Sequence, residues 1–314
     1  MKNQSLAKAL SALIILTLNF AVFADDDKKS QSKHARGTPV FWTDPGDISS
    51  RDLFYGPGGQ EMQPDLSHVT FIREETGGYS KKYRVRDGAG RVWVAKLSKE
   101  AQPEVAASRL IWAMGYPTEI SYLVPDVTIE GKGTYHNVRF EARPDGVKRL
   151  DNWMWASNPF FGTREFQGLK VLMIVLENWD IKDTNNRILH VRSEQGDKDA
   201  AELRYIISDL GATFGKTGGA LSRSRNEPGD YAKARFIKGV KNGRVEFVYN
   251  GKRGDLFKDI KVEDARWVGE MLSHLSDQQI NDAFRAANYS PEEIALLTQA
   301  FKSRVSELMS LPQQ

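Results

Sequence analysis

The chain has 314 residues, 40% of them hydrophobic, 27% charged and 10% aromatic. That composition excludes a disordered or fibrous protein and is enough for one large domain or two lobes. It contains no cysteine, so disulfide frameworks, thiolate metal sites, iron–sulfur clusters and cysteine nucleophiles are all excluded. The formal net charge of +3 is small for this length and predicts no nucleic-acid partner.

In chain order, Lys2 and Lys8 precede an apolar run from Ala9 to Ala24, which ends Val22-Phe23-Ala24 before three aspartates. Small residues three and one before a cleavage point, after a short apolar segment with a basic start, predict a secretory signal over 1–24. An uncleaved anchor is the alternative. Cleavage would remove two lysines and no acid, leaving the charges almost balanced. No later stretch is long and apolar enough to span a membrane, so the mature chain is expected in the periplasm or secreted. Residues 25–66 are expected to be a flexible leader and N-terminal extension, with no structure assigned up to Gly37.

From Val69 the pattern becomes strand-like. Val69–Arg73 and Tyr83–Arg86 predict two strands joined by a glycine-containing turn, and Asp87-Gly88-Ala89-Gly90 supplies the next turn. Arg91–Leu97 follows as a third strand, whose alternation puts Val92, Val94 and Lys96 on one face and Trp93, Ala95 and Leu97 on the other. A lysine on a face shared with two valines is unusual; a strand-edge lysine reaching solvent is the bland reading. Helical spacing from Pro103 to Met114 is closed by Gly115, and further strands are expected over Tyr122–Ile129 and His136–Ala142.

Trp153, Trp155, Phe160, Phe161 and Phe166 are expected to be an aromatic core joining two lobes rather than a ligand platform. Arg164 to Asn178 reads as a helix delivering the chain to Asp180. Ile188–Val191 and Leu203–Ser208 read as a strand pair around a charged loop, 192–202. After a glycine- and arginine-rich loop, Lys216–Tyr231, the remainder is expected to be helical: Val262–Leu275, Asp277–Ala287, and a helix opened by Ser290-Pro291-Glu292-Glu293 that runs to Leu308.

The chemistry-bearing pattern lies in Asn178-Trp179-Asp180-Ile181-Lys182-Asp183-Thr184-Asn185. An aspartate followed by lysine at plus two and asparagine at plus five has the spacing of a kinase catalytic loop. Such an aspartate orients the attacking hydroxyl, the asparagine binds magnesium, and the lysine faces the transferring phosphoryl group. Alone the string is common. Its context is a strand, Tyr205–Ser208, ending in Asp209-Leu210-Gly211, where a carboxylate at the strand tip is placed to hold magnesium against phosphates. Lys96 on the third strand, Gly77-Gly78 between the first two, and Glu104 at the start of the next helix complete the order.

On these residues the sequence resembles the protein-kinase-like superfamily, and its atypical members, such as lipid kinases and actin-fragmin kinase, more than signalling kinases. The likeness runs from Val69 to the C-terminus. It implies an α+β, two-lobed fold, with an antiparallel-sheet N-lobe over 67–143 and a mainly helical C-lobe over 144–314. It also implies that Lys96 grips the phosphates of ATP or another nucleotide and pairs with Glu104, although Glu100 would also suit. Gly77 and Gly78 would cover the phosphates, though a plain hairpin turn explains both. Asp180 and Lys182 would be catalytic, and Asn185 and Asp209 would hold Mg2+.

Three departures mark the chain: Asn178-Trp179 replaces His-Arg, Asp-Leu-Gly replaces Asp-Phe-Gly, and nothing resembles Ala-Pro-Glu. The expected function is phosphate transfer to an unidentified hydroxyl acceptor; the alternative is a noncatalytic, pseudokinase-type binding module. Other chemistries fit poorly. Gly211–Thr217 is one residue short of a phosphate-binding P-loop, the five histidines show no zinc spacing, and no Gly-x-Ser-x-Gly elbow occurs.

Overall fold

A computed structural model of the chain describes residues 35–77, 80–192, 201–219 and 221–313. The expected signal segment, Gly78 and most of the 192–202 loop lie outside the described residues. The first element is a short strand, β1 (Thr38–Val40). The residues after it carry isolated apolar side chains among polar ones, a pattern with no period, yet Phe41, Ile48 and Leu53 enter the main core.

The alternating segments form a five-stranded antiparallel sheet. Its members are β2 (Thr70–Glu75), β3 (Lys81–Arg86), β4 (Val92–Leu97), β5 (Ser121–Ile129) and β6 (Gly133–Ala142), in the order β2-β3-β4-β6-β5. β4 is therefore central. Its odd face, Trp93 and Ala95, packs with Val85, Tyr122, Val138 and Phe140 in a core belonging to this sheet alone. Its even face carries Lys96. A single helix, α1 (Ala101–Ala113), interrupts the strands between β4 and β5.

The chain then builds β7 (Val147–Arg149), α2 (Arg164–Val175), β8 (Asn186–Val191) and β9 (Glu202–Ile207). A second sheet has the order β1-β9-β8-β7, with β1 parallel to β9 and the other pairs antiparallel. α2 stops three residues before the expected Asn178. Glu177 takes the left-handed conformation (φ 53°), while the N–H groups of Asn178 and Glu177 close back on the carbonyls of Met173 and Ile174. This helix-ending turn satisfies the orphan carbonyls and aims the chain at Asp180.

The remainder is α3 (Pro228–Lys233), β10 (Ile237–Lys241), β11 (Arg244–Phe247), α4 (Val262–Ser273), α5 (Asp277–Arg285) and α6 (Pro291–Met309). The last three helices match the expected ones, and both α5 and α6 open with a reciprocal capping box, at Ser276/Gln279 and Ser290/Glu293. The β10–β11 hairpin corrects the expectation of an all-helical remainder. Its turn is Asn242-Gly243, both at positive φ (51° and 70°), the two-residue geometry that matches strand twist. The α+β class, with an antiparallel sheet in the N-terminal part and helices in the C-terminal part, is as expected.

The larger core unites α1, α2 and α4–α6 with Trp153, Trp155 and Phe166 of the aromatic block, while Phe161 of that block is 63% exposed. No helix among the described residues is long and apolar enough to cross a membrane.

Candidate functional site

Lys96 shares its face of the sheet with its register neighbours Lys82 on β3 and Arg139 on β6, so three cations stand in a row across three strands. Such a row needs compensation once water is removed. It comes from α1: Lys96 Nζ lies 2.8 Å from Glu104 Oε2 and 3.2 Å from Glu100 Oε2, and Arg139 lies 3.3 Å from Glu104 Oε1. Lys96 is 5% exposed and Glu104 1%, which removes the reading of a lysine reaching solvent. Both candidate carboxylates are used. Burial works against the Lys96 charge, but Glu104 and then Asp209 outweigh it and raise its pKa. Burial likewise lowers the pKa of Lys82, with the positive charge of Lys96 adding to the effect.

Glu100 is a junction. It accepts from Ser80 Oγ at the end of the glycine turn, faces Lys96, and pairs with Arg225 from the loop that follows Asp-Leu-Gly. Gly211 of that tripeptide is pressed against it: a Cβ there would stand 2.5 Å from Glu100 Cβ. Thr213 Oγ1 also reaches the Pro103 carbonyl on α1. The segment after β9 is thus packed directly on the helix that carries Glu104.

Asp180 follows the turn that ends α2. Its carboxylate is engaged on both oxygens, by Lys182 Nζ at 2.7 Å and Lys252 Nζ at 2.5 Å. Half-burial opposes its charge, but these two hydrogen bonds prevail and hold its pKa below the ordinary value. Burial also opposes the Lys182 charge; Asp180 and then Asp209 raise its pKa despite that. Asn185 Nδ2 donates to the Asp180 carbonyl at 2.7 Å, which locks the loop and leaves the amide oxygen as the atom that could ligate a cation. Asp180, Lys182, Asn185 and Asp209 line one narrow crevice together with Trp155, Asn178 and Asn186. Asp209 lies two residues before Gly211, which is pressed on Glu100, the 3.2 Å partner of Lys96, and its negative charge helps to raise the pKa of both Lys96 and Lys182.

Gly77 lies at the end of β2 in a positive-φ conformation (138°) with open space where a Cβ would be, and its carbonyl accepts from Lys82 Nζ at 3.1 Å. Gly78 cannot be placed, being outside the described residues.

Several members of the site carry no signal in the sequence. Lys252 arrives on Tyr249–Arg253, a segment fastened to the Asp180 loop. Lys252 N donates to the Trp179 carbonyl at 2.8 Å, Tyr249 Oη lies 2.9 Å from the Asn178 carbonyl, and Arg253 lies 3.7 Å from Asp183. Burial raises the Tyr249 pKa, keeping the hydroxyl a donor. Trp179, where the kinase pattern has arginine, donates its indole N–H to the Ser224 carbonyl and stacks under Arg223 and Arg225, at 4.7 and 4.8 Å from the ring centroid. The Lys216–Tyr231 loop is therefore anchored at its centre. Arg139 and Lys82 become legible only once strand register is known.

Two oxygen donors, the Asp209 carboxylate and the Asn185 amide oxygen, suit a hard cation that keeps water and phosphate oxygens as its other ligands. Among the described residues no group of three or more Asp, Glu, His or Cys is placed to hold a metal by itself.

No protein-family model matches the chain, and no curated protein matches its sequence. Among solved structures, the chain is similar to the Helicobacter pylori proinflammatory kinase CtkA, with a TM-score of 0.48 and 10% identity, over 78% of this chain and 96% of that one. It is also similar to the Chaetomium thermophilum Rio2 kinase, solved as an ADP/Mg2+-phosphoaspartate complex, with a TM-score of 0.35 and 12% identity, over 77% of this chain and 72% of that one.

Proposed function

We propose that the chain is an exported kinase-like phosphotransferase of the atypical branch, which binds a magnesium nucleotide between the β-sheet and the helical part and transfers phosphate to a hydroxyl acceptor. The observation that carries this reading is a convergence. Asp180, Lys182, Asn185 and Asp209 line one crevice, and the segment that follows Asp209 packs on Glu100, which with the buried Glu104 holds Lys96, although these residues lie far apart in sequence. Phosphoryl transfer asks a protein chiefly for positioning and charge neutralisation, and this set of groups supplies both.

Lys96 would grip the nucleotide phosphates, with Gly77 and Gly78 above them. Asn185 and Asp209 would hold Mg2+, which neutralises phosphate charge. Asp180, kept ionised by two ammonium groups, would orient the acceptor hydroxyl and take its proton as the oxygen bonds to the terminal phosphorus and the bridging phosphorus–oxygen bond breaks, releasing the nucleoside diphosphate. Lys182 would move from Asp180 to the transferring group. The crevice is narrow and Lys182 in it is engaged by Asp180, so nucleotide entry would require that contact to rearrange.

Thermal unfolding with and without Mg-ATP tests the site. A ligand at about 100 times its dissociation constant adds ~2.7 kcal/mol, a readily measured rise in midpoint. The rise is expected in the wild type and is expected to vanish in Asp209→Ala. No rise in either protein favours the noncatalytic binding module. Transfer of labelled phosphate, present in wild type and absent in Asp180→Ala, tests the chemistry; equal labelling removes Asp180 from its role.

A further inference from the structure

A second cavity lies on the helical part, between the β10–β11 hairpin and the turn Gly254–Phe257, with a volume of about 640 Å³. That size falls in the range of small-molecule sites, roughly 300–1,000 Å³. Its rim carries four cations, Lys238, Lys241, Arg244 and Lys258, against the single lining carboxylate of Glu246. Pairing offsets only two of them. Lys238 stands 3.9 Å from Glu246, and Arg244 pairs with Asp259, which is itself 73% exposed. Among the described residues no carboxylate lies within ion-pair distance of Lys241 or Lys258, and Asn242 at the hairpin tip adds a neutral hydrogen-bonding group. The walls are aromatic: Phe247, Phe257 and Tyr249, the last two in edge contact with centroids 4.5 Å apart.

We propose that this cavity binds a small organic anion, a phosphate or carboxylate headgroup held by the lysines and Arg244 with a flat apolar body against the aromatic wall. Excess like charge around a concave surface is costly unless an anion relieves it, and charge-assisted hydrogen bonds to a headgroup are about twice as strong as neutral ones. An aromatic wall adds nothing for a bare ion and favours a ligand with an apolar body. The hairpin that builds the rim has no part in the groups around Asp180, so the site does not depend on phosphotransfer. Tyr249 joins the two places: its ring lines the cavity, and its hydroxyl lies 2.9 Å from the carbonyls of Asn178 and Lys252, which flank the Asp180 loop.

Phenyl phosphate, titrated calorimetrically into the full chain, is the probe. Saturable one-site binding is expected, about tenfold tighter than inorganic phosphate or phenol, each of which supplies half of the recognition. It should weaken with salt, because the rim is exposed and screened. The double variant Lys241→Ala/Lys258→Ala, at exposed positions where folding is safe, should weaken binding at least about tenfold. Lys182→Ala, at a partly exposed position in the other site, should leave it unchanged. Absence of saturable binding in the wild type overturns the proposal. Binding that survives the double variant, or that is lost in Lys182→Ala, also overturns it, since the anion would then sit elsewhere. A Mg-ATP effect without phenyl phosphate binding sinks this site alone, and the reverse result sinks the nucleotide site alone.

Discussion

Lys96 is a charge that the fold can bury beside two other cations only because the carboxylates of Glu100 and Glu104 face it. Removing one partner of a buried pair costs ~3–5 kcal/mol, because the other charge is left without compensation. Glu104→Gln leaves Lys96 and Arg139 with Glu100 and Glu141 as their nearest acids. It is therefore expected to lose about 3 kcal/mol in urea unfolding, toward the lower end of that range, and to weaken the Mg-ATP thermal shift. Asp180 makes a pH-dependent contribution of definite sign. Its folded pKa lies below the ordinary 3.8, so the contribution is fully present above 3.8 and is lost as pH falls through the lower folded value. The stability gap between wild type and Asp180→Asn should be flat from pH 7 to about 5 and close below pH 3.8; a gap that widens on acidification contradicts the assignment. The Asp-x-Lys-x-x-Asn spacing was readable because all three residues sit on one loop. Lys252 was not, because nothing local distinguishes it from any other exposed lysine until Tyr249–Arg253 docks on that loop.

At the scale of elements, the contact between the start of α1 and the segment after β9 decides how Asp209 sits relative to the carboxylates that hold Lys96. Gly211 permits it. A methyl group at Gly211 would overlap Glu100 Cβ and Cγ, atoms near the backbone that have little room to yield. Gly211→Ala is expected to cost about 1–3 kcal/mol and to reduce the Mg-ATP shift more than an equally destabilising change in α6. A variant with wild-type stability and nucleotide response would show that α1 is not pressed on this segment. The strands β2–β6 and the helices α4–α6 could be read from periodicity and capping. The hairpin β10–β11 was missed despite Asn242-Gly243, a strong turn signal, because the alternation in Arg244-Val245-Glu246-Phe247 spans only four residues and Gly239 interrupts the pattern of β10.

For the whole molecule, the N-terminal extension ties distant parts together. β1 adds a parallel edge to β9, Gln279 on α5 donates to the carbonyls of Ile48 and Arg51, and Arg51 donates to the Trp112 carbonyl at the end of α1. Phe41 is packed among Tyr116, Trp153 and Phe160. A chain lacking residues 1–50 is therefore expected to unfold at a midpoint several degrees lower, following the loss of the buried Phe41 and Ile48 side chains at roughly 1.5–3 kcal/mol each. Its β9 amides should also exchange faster. An unchanged midpoint would mean that the extension rests on the surface without adding stability.

The sequence by itself determined the α+β class, most element boundaries, the absence of thiol chemistry and the spacing around Asp180, because these depend on short-range periodicity, capping and residue type. Tertiary structure alone decided that Lys96 is buried between Glu100 and Glu104, that Asp209 shares a crevice with the Asp180 loop, that Lys252 caps Asp180, and that four cations ring a cavity lined in part by aromatic residues. Each of these is a meeting of side chains from separate elements. Its energy depends on distance and lost hydration, neither of which exists until the chain has folded.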